Sequence, residues 1–172
     1  MIIAPVSLWR DRSGAAAVEF SLVALPFIIL VIGILDIALM FFVDGALDSA
    51  LHMAARNVRT GRSATENWDL SAFKEEVCDG LAWSFDCSSN LLVSTTEMND
   101  LSAVTFQSGV SDGVLSVTET FSSGTPDSYM MIQAFLPWPS WLAPLGVATA
   151  HLDDGRYVLS ATALFRNEPY ED

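Results

Sequence analysis

At 172 residues the chain has room for one domain plus an appendage; its hydrophobic share of 51% and mean hydropathy of +0.38 are high for a soluble domain and low for a multi-span membrane protein. Eight basic residues against 21 acidic ones leave a net charge of −13, and Lys74 is the single lysine. No basic stripe exists to follow a phosphate backbone, which excludes nucleic acid as a partner.

Residues 1–14 carry Arg10 and Arg12 and end on Gly14. The apolar surplus follows, in "AAAVEFSLVALPFIILVIGILDIALMFFV", residues 15–43. About 20 residues cross the hydrocarbon of a bilayer, so this run predicts a spanning helix with length to spare for tilt. A removed secretory signal would have a shorter apolar core followed by small residues, whereas here the small residues come first. Arg10 and Arg12 favour a cytoplasmic N-terminus. Arg56, Arg59 and Arg62 argue weakly the other way from beyond Asp44 and Asp48, and the expectation is N-terminus in, C-terminal body out.

Three residues of the apolar run stand out. Glu19 is a carboxylate at the edge of a membrane helix, where charge is costly and asks for a reason. Pro26 cannot donate to the carbonyl of Leu22, which predicts a kink or a loosened turn. Asp36 lies about 25 Å along the helix from Glu19; it marks the far interface or faces a partner helix.

The helix is expected to continue past the membrane. Val43, Leu47, Ala50, Leu51, Ala54 and Val58 recur at spacings of three and four, while Asp44, Asp48, His52 and Arg56 take the opposite face. His52 is a solvated helix histidine or pairs with Asp48 one turn back. Ala46, Ala50 and Ala54 form a small-residue row that permits close approach. Thr60-Gly61 supplies a stop, so the helix should run from about Ser13 to Thr60.

A second helix is predicted over residues 67–80, capped by Asn67 or Asp69, with Leu70, Phe73 and Val77 on one face. Cys78 and Cys87 lie nine positions apart. Beyond a membrane segment such a pair reads as a disulfide closing a short loop; two free buried thiols is the other reading. Two cysteines alone make a poor zinc site, and neither His52 nor His151 has ligand spacing, so no metal is expected.

Strand-like runs follow: "NLLVSTTEM", "LSAVTFQ", "GVLSVTETF", "SYMMIQAFLPW" and "GRYVLSATALFRN". Tyr157, Leu159, Ala161, Ala163 and Phe165 would share a face of the last. Turn signals separate the runs, and short connections favour antiparallel pairing. "LPWPSWLAPLG", with three prolines, is predicted to be a rigid apolar loop and no regular central strand. Its Trp138 and Trp141 plug the core edge or form a contact patch for another subunit. The expected architecture is α+β: a long N-terminal helix packed on one face of an antiparallel sheet, the other face mostly wet, with a short second helix.

No G-x-S-x-G, H-E-x-x-H or P-loop motif occurs, and Asp153-Asp154 beside His151 reads as a hairpin turn. The expectation is a protein that is no enzyme, with no catalytic residues and no cofactor. The competing classes are a structural filament component and an anchored binding or scaffold module.

Gly14, Ala15-Ala16-Ala17-Val18, Glu19-Phe20 and the apolar helix, with basic residues just before them, resemble the class III signal of type IV prepilins. In that group a membrane peptidase cuts after the glycine and leaves the helix on the mature protein. The whole stretch "RDRSGAAAVEFSLVALPFIILVIGILDIALMFF" resembles the TadE/TadF-like family of pilin-related proteins of tight-adherence (Tad, Flp-type) pili. The likeness extends through "LDSALHMAARNVRTG", the cysteine loop, the "PWP" after a strand and the terminal "FRNEPY".

The resemblance implies a type IV pilin-like fold and a division into a leader (1–14), a transmembrane helix (15–43), its amphipathic continuation (44–62) and an exported α+β body (63–172). It implies a minor pilin-like component or assembly factor of a Tad-type pilus, serving adhesion and biofilm formation. The partners implied are a prepilin peptidase, other Tad pilins, the inner-membrane pilus machinery and inner-membrane lipid. The C-terminal body would be periplasmic, or extracellular once in the pilus. Gly14, Ala15, Glu19 and Phe20 become processing residues, and Ala15, Glu19, Pro26 and Asp36 assembly residues. Glu19 would pair with the new ammonium group of Ala15, on its own chain before assembly and on a neighbour within the filament; a carboxylate favoured by the first-turn helix dipole is the plainer account. The alternative function is a permanently anchored periplasmic binding or scaffold module.

Overall fold

The structure is a computed structural model and describes residues 14–81, 86–98, 100, 104–141, 143 and 152–169. Residues 1–13 of the expected leader (1–14), with Arg10 and Arg12, lie outside that set, as does His151.

One helix dominates. α1 (Ala15–Arg59) is continuous through Pro26 and unites the expected membrane and amphipathic segments. It stops where Gly61, at φ +79°, turns the chain, and the Gly61 amide donates to the Val58 carbonyl at 3.0 Å. A short α2 (Arg62–Thr65) follows. The second predicted helix is α3 (Leu70–Gly80), with Asp69 as its cap: the Ala72 amide donates to the Asp69 carboxylate at 2.8 Å. Asn67 instead sits in the preceding turn at φ +52°. α4 (Cys87–Asn90) is a single turn, and the Cys78–Cys87 disulfide is formed, joining it to the last turn of α3.

β1 (Leu92–Met98), β4 (Tyr129–Pro139) and β5 (Arg156–Arg166) form an antiparallel sheet in the order β1-β4-β5. β2 (Val110–Ser111) and β3 (Val114–Leu115) make a separate small hairpin. The fold is therefore α+β, a long helix on a three-stranded antiparallel sheet, as the sequence predicts.

The core lies between the distal half of α1 and one sheet face. Leu47, Ala50, Leu51, Ala54 and Val58 are fully buried, against Ile132 and Ala134 of β4 and Leu159, Ala161 and Ala163 of β5. Phe73 and Val77 close one side, and Phe73 stacks on Phe121 at 4.9 Å between ring centroids. The small-residue row does what its spacing suggests: a Cβ on Gly80 would come within 2.9 Å of the Ala50 Cβ, so α3 meets α1 at backbone distance.

Four expectations need correction. The second sheet face is not mostly wet: it stays open along β5, at Ser160 and Leu164, but is covered over β4. Met131, Gln133 and Phe135 are buried there, and Gln133 exchanges hydrogen bonds with the Gln107 backbone at 3.1 and 3.3 Å. The covering chain is drawn from "LSAVTFQ" and "GVLSVTETF". Residues 104–107 are irregular, residues 101–103 lie outside the described set, and only Val114–Leu115 of the second run is strand. These β-prone runs satisfy their backbone in another way. The segment around Thr120 lies along the outer edge of β1 in a parallel bridge to Ser94, with Thr95 and Thr120 amides donating at 3.1 Å. This covers an edge that would otherwise invite pairing with another chain.

The "LPWPSW" stretch is the fourth. β4 runs on through Leu136, Pro137, Trp138 and Pro139, paired with β5 as far as Arg156. β1 ends opposite Phe135, so among the described residues the proline end of β4 is paired on one side only. A proline costs no ladder bond where that side is empty. The strand is central for half its length and an edge for the rest.

Candidate functional site

The candidate site is the stem, the proximal half of α1, and its junction with the sheet. From Val18 to Leu35 the stem shows its large side chains outward: Phe20 is 75% exposed and Leu22 71%. This is the one candidate membrane span among the described residues. An apolar helix with no packed face is stable only where hydrocarbon replaces water, since its backbone is already hydrogen-bonded internally.

Gly14 precedes the first residue of α1 and holds the N-cap position, its carbonyl accepting from the Val18 amide at 3.1 Å. Beyond its chain neighbours, no atom of the described residues lies within 4 Å of the place where a Gly14 Cβ would stand. Glu19 is exposed one turn beyond Ala15, on the same side of the helix. Gly14, Ala15, Glu19 and Phe20 thus all lie at the start of α1, with Phe20 on a different side from Ala15 and Glu19. Pro26 lies within the exposed run, and α1 stays helical around it.

Asp36 is placed elsewhere. Only 7% exposed, it accepts from the Ser140 hydroxyl at 2.8 Å and from the Trp141 amide at 3.4 Å. Its carboxylate is satisfied within the chain, so a partner helix is not needed to satisfy it. The two tryptophans part company: Trp138 is half-buried against the core, whereas Trp141 is 59% exposed. Between α1 at Phe42 and Ala46, the disulfide turn at Cys87 and the proline end of β4 at Leu136 and Trp138 lies an open apolar groove of about 680 Å³.

On the far side, the helix and the chain terminus are tied. The Glu168 amide donates to the Arg59 carbonyl at 2.9 Å, and the two side chains pair at 3.1 Å. Buried Asn167 donates to the Ser123 and Thr125 carbonyls at 2.9 and 3.0 Å. The sequence reading singled out "FRNEPY" without a role for these residues, and it missed Ser140 altogether. Ser140 lies 104 positions from its partner, and no local signal marks it. Asp48 and His52 approach to 3.7 Å on the exposed face of α1, where such a pair contributes little. Among the described residues no group of three or more His, Cys, Asp or Glu side chains is placed to hold a metal ion.

Residues 14–56 match the family model described as TadE-like protein. The stem is similar to that family over 43 of the 172 residues. The match opens on Gly14, takes in the whole exposed run, and ends inside the packed half of α1, leaving the sheet outside it. It supports a Tad-pilus-associated, pilin-like component. No curated protein and no solved structure matches the chain.

Proposed function

We propose that this TadE-like chain is a minor pilin-like component or assembly factor of a Tad-type (Flp-type IVb) pilus, serving adhesion and biofilm formation. A prepilin peptidase cuts it after Gly14. The observation that carries the reading is that the family match begins on the residue immediately before α1. Glycine offers an unhindered backbone there. Cleavage removes residues 1–14 and leaves the membrane helix on the mature protein.

In this reading the role is structural and not catalytic. The new N-terminus at Ala15 carries an ammonium group, and Glu19 lies one turn away on the same face. An unpaired charge in hydrocarbon is expensive, so the carboxylate pairs with that amine, first in its own chain and then on a neighbouring subunit, which biases register during assembly. The chain sits in the inner membrane with its leader cytoplasmic and its folded body periplasmic, among other Tad pilins and the inner-membrane machinery. The Ala15–Ala17 run and Pro26 suit tight helix packing of this kind.

Intact mass of the protein from cells tests the cut: a chain starting at Ala15 is expected, and an intact Met1 would instead mean a permanently anchored scaffold module. Glu19→Ala should be cleaved normally yet fail to support piliation; normal piliation would reject the assembly role.

A further inference from the structure

The corner Pro137–Trp141 is fixed to α1 at a defined height, because Ser140 and Trp141 both donate to buried Asp36. From Ala15 to Asp36 the helix rises about 32 Å. That is one hydrocarbon thickness, about 30 Å. Beyond Asp36 the helix stays apolar and exposed, with Ile37 at 52%, Phe41 at 66% and Phe42 at 60%, until Asp44. Those eight positions rise about 12 Å, somewhat more than the roughly 5–8 Å of headgroup layer on one side of the bilayer. Any part of the body bonded to residue 36 must then lie at the bilayer surface.

Resting on the membrane reading of α1, we propose that the Pro137–Trp141 corner is a second membrane contact, with Trp141 seated at the headgroup–acyl boundary of the leaflet facing the folded body. The occupant is phospholipid, because the corner is held where the helix leaves the bilayer. An indole is suited to that depth, its ring meeting acyl carbon and its N–H meeting water or ester oxygen. The two prolines stiffen the approach, and Asp36 with Ser140 sets the depth. Headgroup charge plays no part: Arg156, beside the corner, is already paired with Asp154 at 2.6 Å, and the chain as a whole is acidic. The contact makes the body lean on the bilayer and fixes its tilt relative to the stem.

The test uses the full chain in phosphatidylcholine vesicles and the emission difference between the unaltered protein and Trp141→Phe, which isolates Trp141 while changing an exposed side chain. Lipid brominated near the ester end should quench that difference by roughly twofold, as expected of an interfacial indole. Lipid brominated at the chain end should do far less, and added anionic lipid should change nothing. Ser140→Ala should return Trp141 to aqueous quenchers. Full access of Trp141 to acrylamide with no lipid quenching would overturn the proposal. A Phe27→Trp variant separates the two readings. Its added emission must be quenched by chain-end bromine if α1 spans the bilayer. Failure there overturns the membrane reading and the corner contact with it, whereas failure at Trp141 alone overturns only the corner.

Discussion

The two halves of α1 share one backbone and differ in every side-chain environment. In residues 15–35 almost every large apolar side chain is exposed, whereas Leu47, Leu51 and Val58 of the distal half have no exposure at all. The proximal half is apolar nearly all round, a candidate membrane span whose helix satisfies every backbone group internally. The distal half is apolar on one face only and is held by what packs on that face. Helicity alone therefore says nothing about where the stability of this protein resides; the partner of each face does.

Substitution should separate the halves sharply. Phe73→Ala removes a fully buried ring that packs against the distal half. It should destabilise the body by about 3–5 kcal/mol, mostly from lost burial and the residual cavity. Leu25→Ala, in the exposed stem, should leave urea unfolding of the body in detergent within about 0.5 kcal/mol of the unaltered protein. Equal effects at the two sites would erase the distinction.

The disulfide belongs wholly to the packed side. It closes a loop of nine positions between α3 and α4. Reduction, or a Cys78→Ser and Cys87→Ser double variant, should cost about 2–3 kcal/mol in body stability, by the loss of a constraint on the unfolded chain. Helical content of the stem, followed by circular dichroism in detergent, should be unchanged.

The smallest effect sharpens the comparison through pH. Glu97 on β1 accepts from the Thr125 hydroxyl at 2.5 Å and the Thr125 amide at 3.1 Å. The hydroxyl bond above all holds its carboxyl below the usual carboxylate range, against an opposing contribution from burial. The folded state thus binds this proton less readily than the unfolded chain does. The stabilisation is present above the unfolded carboxylate pKa and is lost as pH falls through the depressed folded value. Glu97 is exposed, so solvent screens the effect and it should be smaller than either of the others. Acid titration of body stability should be shallower in Glu97→Gln, and an unchanged profile would mean that Glu97 contributes nothing to it.

The amino-acid sequence by itself determined what acts over short range or through composition. The apolar run 15–43, the distal helix face, the stop at Gly61, a cap at one of Asn67 and Asp69, and the inward residues of β5 are all periodicities or single-residue signals, and they reappear in place, the cap at Asp69. Gly14 and Glu19 stand out in the sequence because the chemistry proposed for them needs only neighbours one turn apart. Tertiary structure decided the rest. Pro137 and Pro139 sit in a strand because β1 ends at Phe135, a length mismatch between segments distant in sequence. The β4 part of the second sheet face is dry because the chain around Gln107 and Gly109 lies against Gln133 and Phe135. Asp36 is satisfied by Ser140 and Trp141, from the other end of the chain. A buried polar group must find a partner, but which partner reaches it depends on how the whole chain packs, and local sequence does not carry that information.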